Sequence, residues 1–400
     1  MIFLTLTDRN HCNSSLLAQA AGAEEKMPSF AHEMLREIYE QPDALRRTLA
    51  LYLSPAGLKP EIARLLAAWS IPEGEVLIAA SGSSRHSGLA AEILLEDLCD
   101  LAVDVEYASE YSVRGGPEVS AQRRPSVLVL SQSGETSDTL AALREAARRG
   151  QKTLAITNAT DSTMAREAVV SMPLAAGVER AIPATKSFTC QLAVLYLLAL
   201  YEGVRLSRID ASAIASHIKG LRAASDSIES QLDGWSEQMA ILAHKYRRAS
   251  TFLYLGRGIH YAIAREGALK LKEASYVHAE GYPAGELKHG PNALVSDSVP
   301  LVVLATVDRG LPASVVRYER TVQLLADMKA QGARVIALGN AGDAEVENLA
   351  RDFVAVQPAD EYLLPISEVV PLQLFSYFMA LEHGVDVDRP RNLSKAVVEA

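Results

Sequence analysis

The stretch PSVLVLSQSGETSDTLAALREAARRG, residues 125–150, passes from a short apolar run through a turn crowded with hydroxyls into an amphipathic helix. A strand whose helix must fold straight back over it is the building unit of a parallel sheet covered on both faces. The unit recurs along the chain. EVLIAASGSS is a strand and Gly/Ser turn followed by the helix RHSGLAAEILLEDLCD, VDVEYASE is a strand, and KTLAITNATDS is a strand and turn. STFLYLGRGIHYAIAREGALKLKEA then copies the unit at Val76, and VPLVVLATVDRG with RYERTVQLLADMKAQGARVIALGN copies the unit at Ser126. Both copies lie about 175 residues downstream, so the chain is predicted to be an internal duplication of one α/β domain.

Around these units the pattern is helical. Apolar residues three and four apart mark helices between Phe30 and Trp69 and a long helical bridge from Phe188 to Ser250. EVVPLQLFSYFMALEHG begins as a helix and gives way to a Pro-rich polar tail. The predicted organisation is a poorly ordered tail at 1–29, a first domain at 30–215, a second at 216–388 and a C-terminal tail at 389–400.

Composition narrows the function. The 400 residues carry a net charge of −10, which argues against nucleic acid as a partner while leaving small anions open. Cys12, Cys99 and Cys190 are too scattered for a disulfide framework or a metal cluster. No apolar run is expected to reach the length of a membrane span, so a cytoplasmic protein is predicted. MIFLTLTDRNHCNSSLLAQAAGA has the small-residue end of a signal peptide but no basic start, and Asp8, Arg9, Asn10 and His11 interrupt it. A tail preceding the fold, with Met27 as the natural start, is expected instead.

The hydroxyl-rich turns suggest an anion cradle. Helix N-termini expose unpaired N–H groups at the positive end of the helix dipole, where phosphate binds readily. SQSGET places Ser131, Gln132, Ser133 and Thr136 there, and Gly134 lets a ligand approach the backbone. Gly82, Ser83 and Ser84 open the neighbouring helix in the same way. In a doubly wound sheet both turns lie at the carboxyl ends of strands, where ligands bind. The competing reading is that these serines and threonines are ordinary helix caps. No lysine of the nucleotide-binding loop type follows the glycines.

Further along, Lys270 and Glu273 are three apart on one helical face, and His289 lies between glycines, where an imidazole can exchange protons near neutral pH. Spacing alone equally allows Lys270 and Glu273 to be a surface ion pair.

Several longer blocks now bear on the choice: SQSGETSDTL, ATKSFTCQLAVL, EGALKLKEASYVHAEGYPAGELKHGP, DRPRNLSKAVVE and, near the start, EIYEQPDALRRTL. They resemble the sugar isomerase (SIS) family, in particular the isomerase half of glucosamine-6-phosphate synthase, from Phe30 to the C-terminus. The resemblance implies an α/β fold of two tandem SIS domains, each a flavodoxin-like parallel sheet flanked by helices. It implies Glu273 as the base for a 1,2-proton shift, His289 as the ring-opening acid/base, Lys270 as a supporting cation, and Lys395 as the amine that forms a Schiff base with an open-chain ketose. Ser84, Ser131, Gln132, Ser133 and Thr136 would hold the substrate phosphate, while Gly82, Ser83, Glu179, Thr185 and Ser394 would line the sugar. It also implies a homodimer in which the histidine of one subunit serves the other's site, and no cofactor or metal.

Three departures stand out. Ser394 replaces a usual alanine, and Arg85 with His86 replaces a common tyrosine-asparagine pair, either to face solvent or to read a different sugar substituent. Lys186 has the simpler reading of a partner for a nearby acid. The chain starts MIFLTL, without the cysteine that opens the synthase's glutaminase domain. The expected activity is therefore deamination and isomerisation of an amino-sugar 6-phosphate, glucosamine 6-phosphate to fructose 6-phosphate and ammonia. Alternatives are an aldose–ketose isomerase or deglycase, an ammonia-dependent synthase, and a sugar-phosphate sensor without catalysis.

Overall fold

The computed structural model describes residues 30–69, 75–114 and 125–395; the expected tail at 1–29 lies outside the described residues. Two five-stranded sheets form its frame. The first contains β1 (Glu75–Ala80), β2 (Ala102–Tyr107), β3 (Ser126–Leu130), β4 (Thr153–Thr157) and β5 (Val170–Pro173) in the order β2-β1-β3-β4-β5. The second contains β6 (Thr251–Gly256), β7 (His278–Pro283), β8 (Leu301–Leu304), β9 (Val335–Asn340) and β10 (Asp352–Val356) in the order β7-β6-β8-β9-β10. Every neighbouring pair in both sheets is parallel. The two orders are the same when each sheet is counted from its own first strand, so the duplication read from the sequence is a duplication of topology. This is the flavodoxin-like order, with its switch point between the first and third strands.

Burial follows from the strand sequences. Every residue of β3 and β4 is buried, as strands covered on both faces require. Alternate residues serve different cores. Leu128 and Leu130 join the large central cluster, whereas Val127 and Val129 pack with Leu140 and Leu143 of the helix Ser137–Arg148. The second sheet repeats the division, with Val302 and Leu304 facing the centre and Leu301 and Val303 facing the helix Pro312–Ala330. The central cluster takes side chains from both sheets, so the two repeats share one core.

The helical bridge consists of Lys186–Arg205 and Ala211–Tyr246. Between Phe30 and Trp69 the helices are broken by a two-stranded hairpin, Leu53–Ser54 with Gly57–Leu58. One expectation needs correction. The helices Lys186–Arg205 and Leu364–Glu382 are long and apolar enough to span a membrane by length and composition. Their windows are 94% and 89% buried, because both helices lie within the central cluster shared by the two repeats.

Candidate active site

The turns after β1 and β3 flank the switch point of the first sheet. Ser81 and Thr136 hold the N-cap positions of the helices Gly82–Cys99 and Ser137–Arg148, yet neither makes a side-chain capping hydrogen bond. Ser162 and Asp343 do cap their helices. Neither Ser81 nor Thr136 therefore acts as a side-chain cap of its helix.

The hydroxyls face one another instead. Ser131 Oγ lies 3.0 Å from Thr136 Oγ1 and 3.5 Å from Ser133 Oγ. The Gly134 N–H donates to Ser131 Oγ at 3.1 Å and the Glu135 N–H to Ser133 Oγ at 3.2 Å. Gly134 has φ +66°, and a Cβ there would sit 2.1 Å from Ser162 Oγ, so only glycine fits. The Gln132 carbonyl accepts from the Asn158 N–H at 3.1 Å, and Glu135 accepts from the Thr163 N–H at 2.7 Å. These bonds make the turn a fixed cradle. Across it, Ser84 is buried and accepts from Gln191 Nε2 at 3.0 Å, while Gly82 starts its helix at φ +54°.

The helix Ile259–Ser275 brings the second domain to this cradle. Ser83 Oγ donates to Glu266 Oε1 at 2.8 Å, and His86 Nδ1 lies 2.8 Å from Glu266 Oε2. Glu266 is fully buried and lies 3.6 Å from Lys270 Nζ, which also pairs with Glu273. Lys270 is 1% exposed, so the pair is not a surface ion pair. Burial pushes its pKa down, but Glu273, Glu266 and Glu179 more than offset this and hold the ammonium charged. Glu273 keeps 22% of its side chain exposed, at the open end of the chain of charges.

Lys395 closes the other side. Its Nζ donates to Glu179 Oε2 at 2.7 Å and to the Ala181 carbonyl at 2.6 Å. Glu179 also accepts from the N–H groups of Thr185 and Ser187, at 3.0 and 3.1 Å. Burial pushes its pKa up, and Lys395 with these donors outweighs burial and lowers it. Thr185 is fully buried, its hydroxyl unpaired. Ser394 is exposed beside Lys395. The tail is anchored by Asp388, which accepts from the Glu33 and Met34 N–H groups at 2.9 and 2.8 Å.

The remaining side chains bear on their first readings in different ways. His289 ends the 3-10 turn Ala284–His289, exposed, with no hydrogen bond or ion pair among the described residues, so the chain's own fold does not bring it onto Glu273. Lys186 pairs with Glu40, as the simpler reading had it. Neither Arg85 nor His86 simply faces solvent. Arg85 stacks 3.9 Å from the centroid of the Tyr107 ring and donates to the Val105 carbonyl at 3.1 Å. His86 is buried against Glu266.

Two acids escaped the sequence reading. Glu266 lies one helical turn before Lys270, a spacing that could have revealed it. Glu37 is fully buried and accepts from the Arg180 and Ala181 N–H groups, fixing the segment that holds Lys395. Burial and Glu179 push its pKa up to about 7. Among the described residues no group of His, Cys, Asp and Glu could hold a metal ion.

Comparison with known proteins agrees with this architecture. The SIS domain model matches residues 71–201 and 245–383. Glutamine–fructose-6-phosphate aminotransferase (isomerizing) of Chlorobaculum tepidum is 40% identical over 377 residues, covering 92% of this chain and 58% of the relative, so the chain spans under two thirds of that protein. The C-terminal domain of glucosamine-fructose-6-phosphate aminotransferase from Francisella tularensis superposes with a TM-score of 0.82 at 30% identity, over 92% of this chain and 100% of that one. Glucosamine-6-phosphate deaminase from Thermotoga maritima shares the fold, with a TM-score of 0.68 at 20% identity over 92% of this chain and 100% of that one. The chain belongs to the SIS domain family and is of its phosphosugar isomerase type.

Proposed function

We propose that the protein deaminates and isomerises an amino-sugar 6-phosphate, converting glucosamine 6-phosphate and water to fructose 6-phosphate and ammonia. The observation that carries this reading is the buried chain Glu266–Lys270–Glu273 beside an uncapped hydroxyl cradle, with Lys395 opposite. Ser84, Ser131, Gln132, Ser133 and Thr136 hold the phosphate. Gly82, Ser83, Glu179, Thr185 and Ser394 border the sugar.

In this mechanism His289 opens the ring. Glu273 takes the C2 proton as O1 gains one, the charged Lys270 stabilises the enolamine that forms, and the proton is returned at C1 as the amine gives up an N–H proton. C2 is then an imine. The Lys395 amine adds to C2 and displaces ammonia, and water attacks the resulting Schiff base to release the ketose and restore the lysine. The nitrogen leaves as ammonia; Cys99 and Cys190 take no part, being buried with their thiols pushed up to about 12.

Incubation with a panel of amino-sugar 6-phosphates should yield ammonia and ketose in equal amounts from at least one of them. Glu273→Gln should lower kcat by about 10²–10⁴-fold and leave sugar-phosphate binding intact. Ketose without ammonia would replace the reading by a plain isomerase, and binding without turnover by a sensor.

The isolated, exposed His289 supports a homodimer in which each subunit lends this histidine to the other's site. Mixing inactive His289→Ala and Glu273→Gln chains should then restore part of the activity through hybrid sites. A fully active monomer in sedimentation contradicts the arrangement.

A further inference from the structure

His86 lies on the first turns of the helix Gly82–Cys99, three residues after Ser83, so the two side chains share a face. Both reach across to the second domain and bond the two oxygens of one carboxylate, Glu266, at 2.8 Å each. Glu266 is fully buried and is an acceptor on both oxygens. The His86 ring is 7% exposed, and its Nε2 has no hydrogen-bond partner among the described residues. Nε2 is not among the buried polar atoms left without a partner, so this nitrogen of a mostly covered ring is open to a partner from outside the chain.

The tautomer decides what that partner must be. Burial lowers the pKa of His86, and Arg265 and Lys270 on the facing helix add to this, against the pull of Glu266. Arg85, its neighbour, is engaged with Tyr107 and Val105. The ring is therefore neutral near pH 7, its single proton on Nδ1 toward the carboxylate, and Nε2 offers a lone pair.

We propose that His86 is a substrate-reading residue, whose Nε2 accepts a hydrogen bond from a hydroxyl or amine of the bound sugar while Glu266 holds the ring in position. The proposal rests on the phosphosugar reading of this crevice and adds a specificity contact to it. Ser83 and His86 then make Glu266 the joint between the turn that meets the substrate and the Lys270–Glu273 pair. A bound substrate that covers Nε2 without offering it a donor would strip the nitrogen of water and leave it unpaired, and would be discriminated against.

Isosteric substitutions separate reading from mere support. The amide of asparagine reaches the position of Nδ1 but not that of Nε2, and the amide of glutamine reaches the position of Nε2 but not that of Nδ1. Calorimetric titration with glucosamine 6-phosphate and with inorganic phosphate, in a Glu273→Gln background that prevents turnover, reads both. His86→Asn should weaken the sugar phosphate about tenfold and leave inorganic phosphate unchanged, whereas His86→Gln should stay within about threefold of the parent for both. A His86→Asn protein that binds the sugar phosphate as the parent does, or a His86→Gln protein that alone loses it, overturns the proposal and leaves His86 as a support for Glu266. A parent that binds no sugar phosphate overturns the phosphosugar reading itself, and this proposal with it.

Discussion

The two sheets have the same strand order, and their switch points are filled in opposite ways. At the first, Ser81 and Thr136 make no side-chain cap, and the hydroxyls of Ser131, Ser133 and Thr136 face one another. At the second, the chain supplies its own anions. His260, the second residue of the helix Ile259–Ser275, has Nδ1 2.8 Å from Glu368 and Nε2 3.4 Å from Glu361. Arg317 bonds Glu361 at 2.6 and 2.9 Å and packs over Gly258, where a Cβ would be 2.9 Å from its Cδ. Ser314 and Thr306 donate to the same two carboxylates. Both glutamates are fully buried. The fold thus provides two equivalent crevices, and side chains line one with hydroxyls and fill the other with a closed ion network.

The difference can be broken by experiment, because the second region should answer in stability and the first in binding. The largest effect is expected from His260→Gln, which leaves two buried carboxylates short of a cation. Loss of about 3–5 kcal/mol in equilibrium denaturation, with KM unchanged, is the expected outcome. A raised KM without destabilisation would mean that the second crevice also handles substrate.

The same network carries a pH signature. Burial pushes the His260 pKa down, but Glu368 and Glu361 outweigh it and hold it up at about 10. A folded value above the ordinary 6.5 means that this stability is complete below about 6.5 and lost as pH rises through about 10. Glu361 has the opposite sign. Burial raises its pKa, but His260, Ser314 and Arg317 bring it to about 2, so its contribution is complete above 4.5 and lost as pH falls through about 2. His260→Gln should flatten the alkaline limb of a melting-temperature profile, and an unchanged limb would place the charge elsewhere.

The smallest change in stability should come from the first region. Neither Ser133 nor Thr136 caps its helix, so the double alanine variant should stay within about 1 kcal/mol of the parent. Its KM for a 6-phosphate should nevertheless rise about tenfold or more. The reverse pattern would return these residues to a capping role.

Much of the duplicated fold and of the first crevice was legible in the sequence, whereas the second crevice's ion network was not, and these limits have physical causes. Strands β1, β3, β4, β6, β8 and β9 announce themselves because central parallel strands are apolar throughout. The edge strands β5, β7 and β10 did not. They have four to six residues, and β7, His278–Pro283, mixes charge, glycine and proline as edges permit. The cradle was readable because hydroxyls at a strand–helix turn have few other uses. Glu37 was not, because a glutamate in a helix looks solvated until a second element covers it, and Glu266 was passed over although its spacing to Lys270 marked it. His86 was visible as an oddity, but its direction depended on a carboxylate 180 positions away.

The direct test of one open and one closed crevice is the number of ligands that a chain binds. An open-chain polyol 6-phosphate, which can neither cyclise nor tautomerise, can be titrated into the wild-type protein and into Ser133→Ala/Thr136→Ala by calorimetry. The account requires one equivalent per chain in the wild type and about tenfold or greater weakening in the variant. Two equivalents per chain, or one that the double variant retains at full affinity, would contradict it.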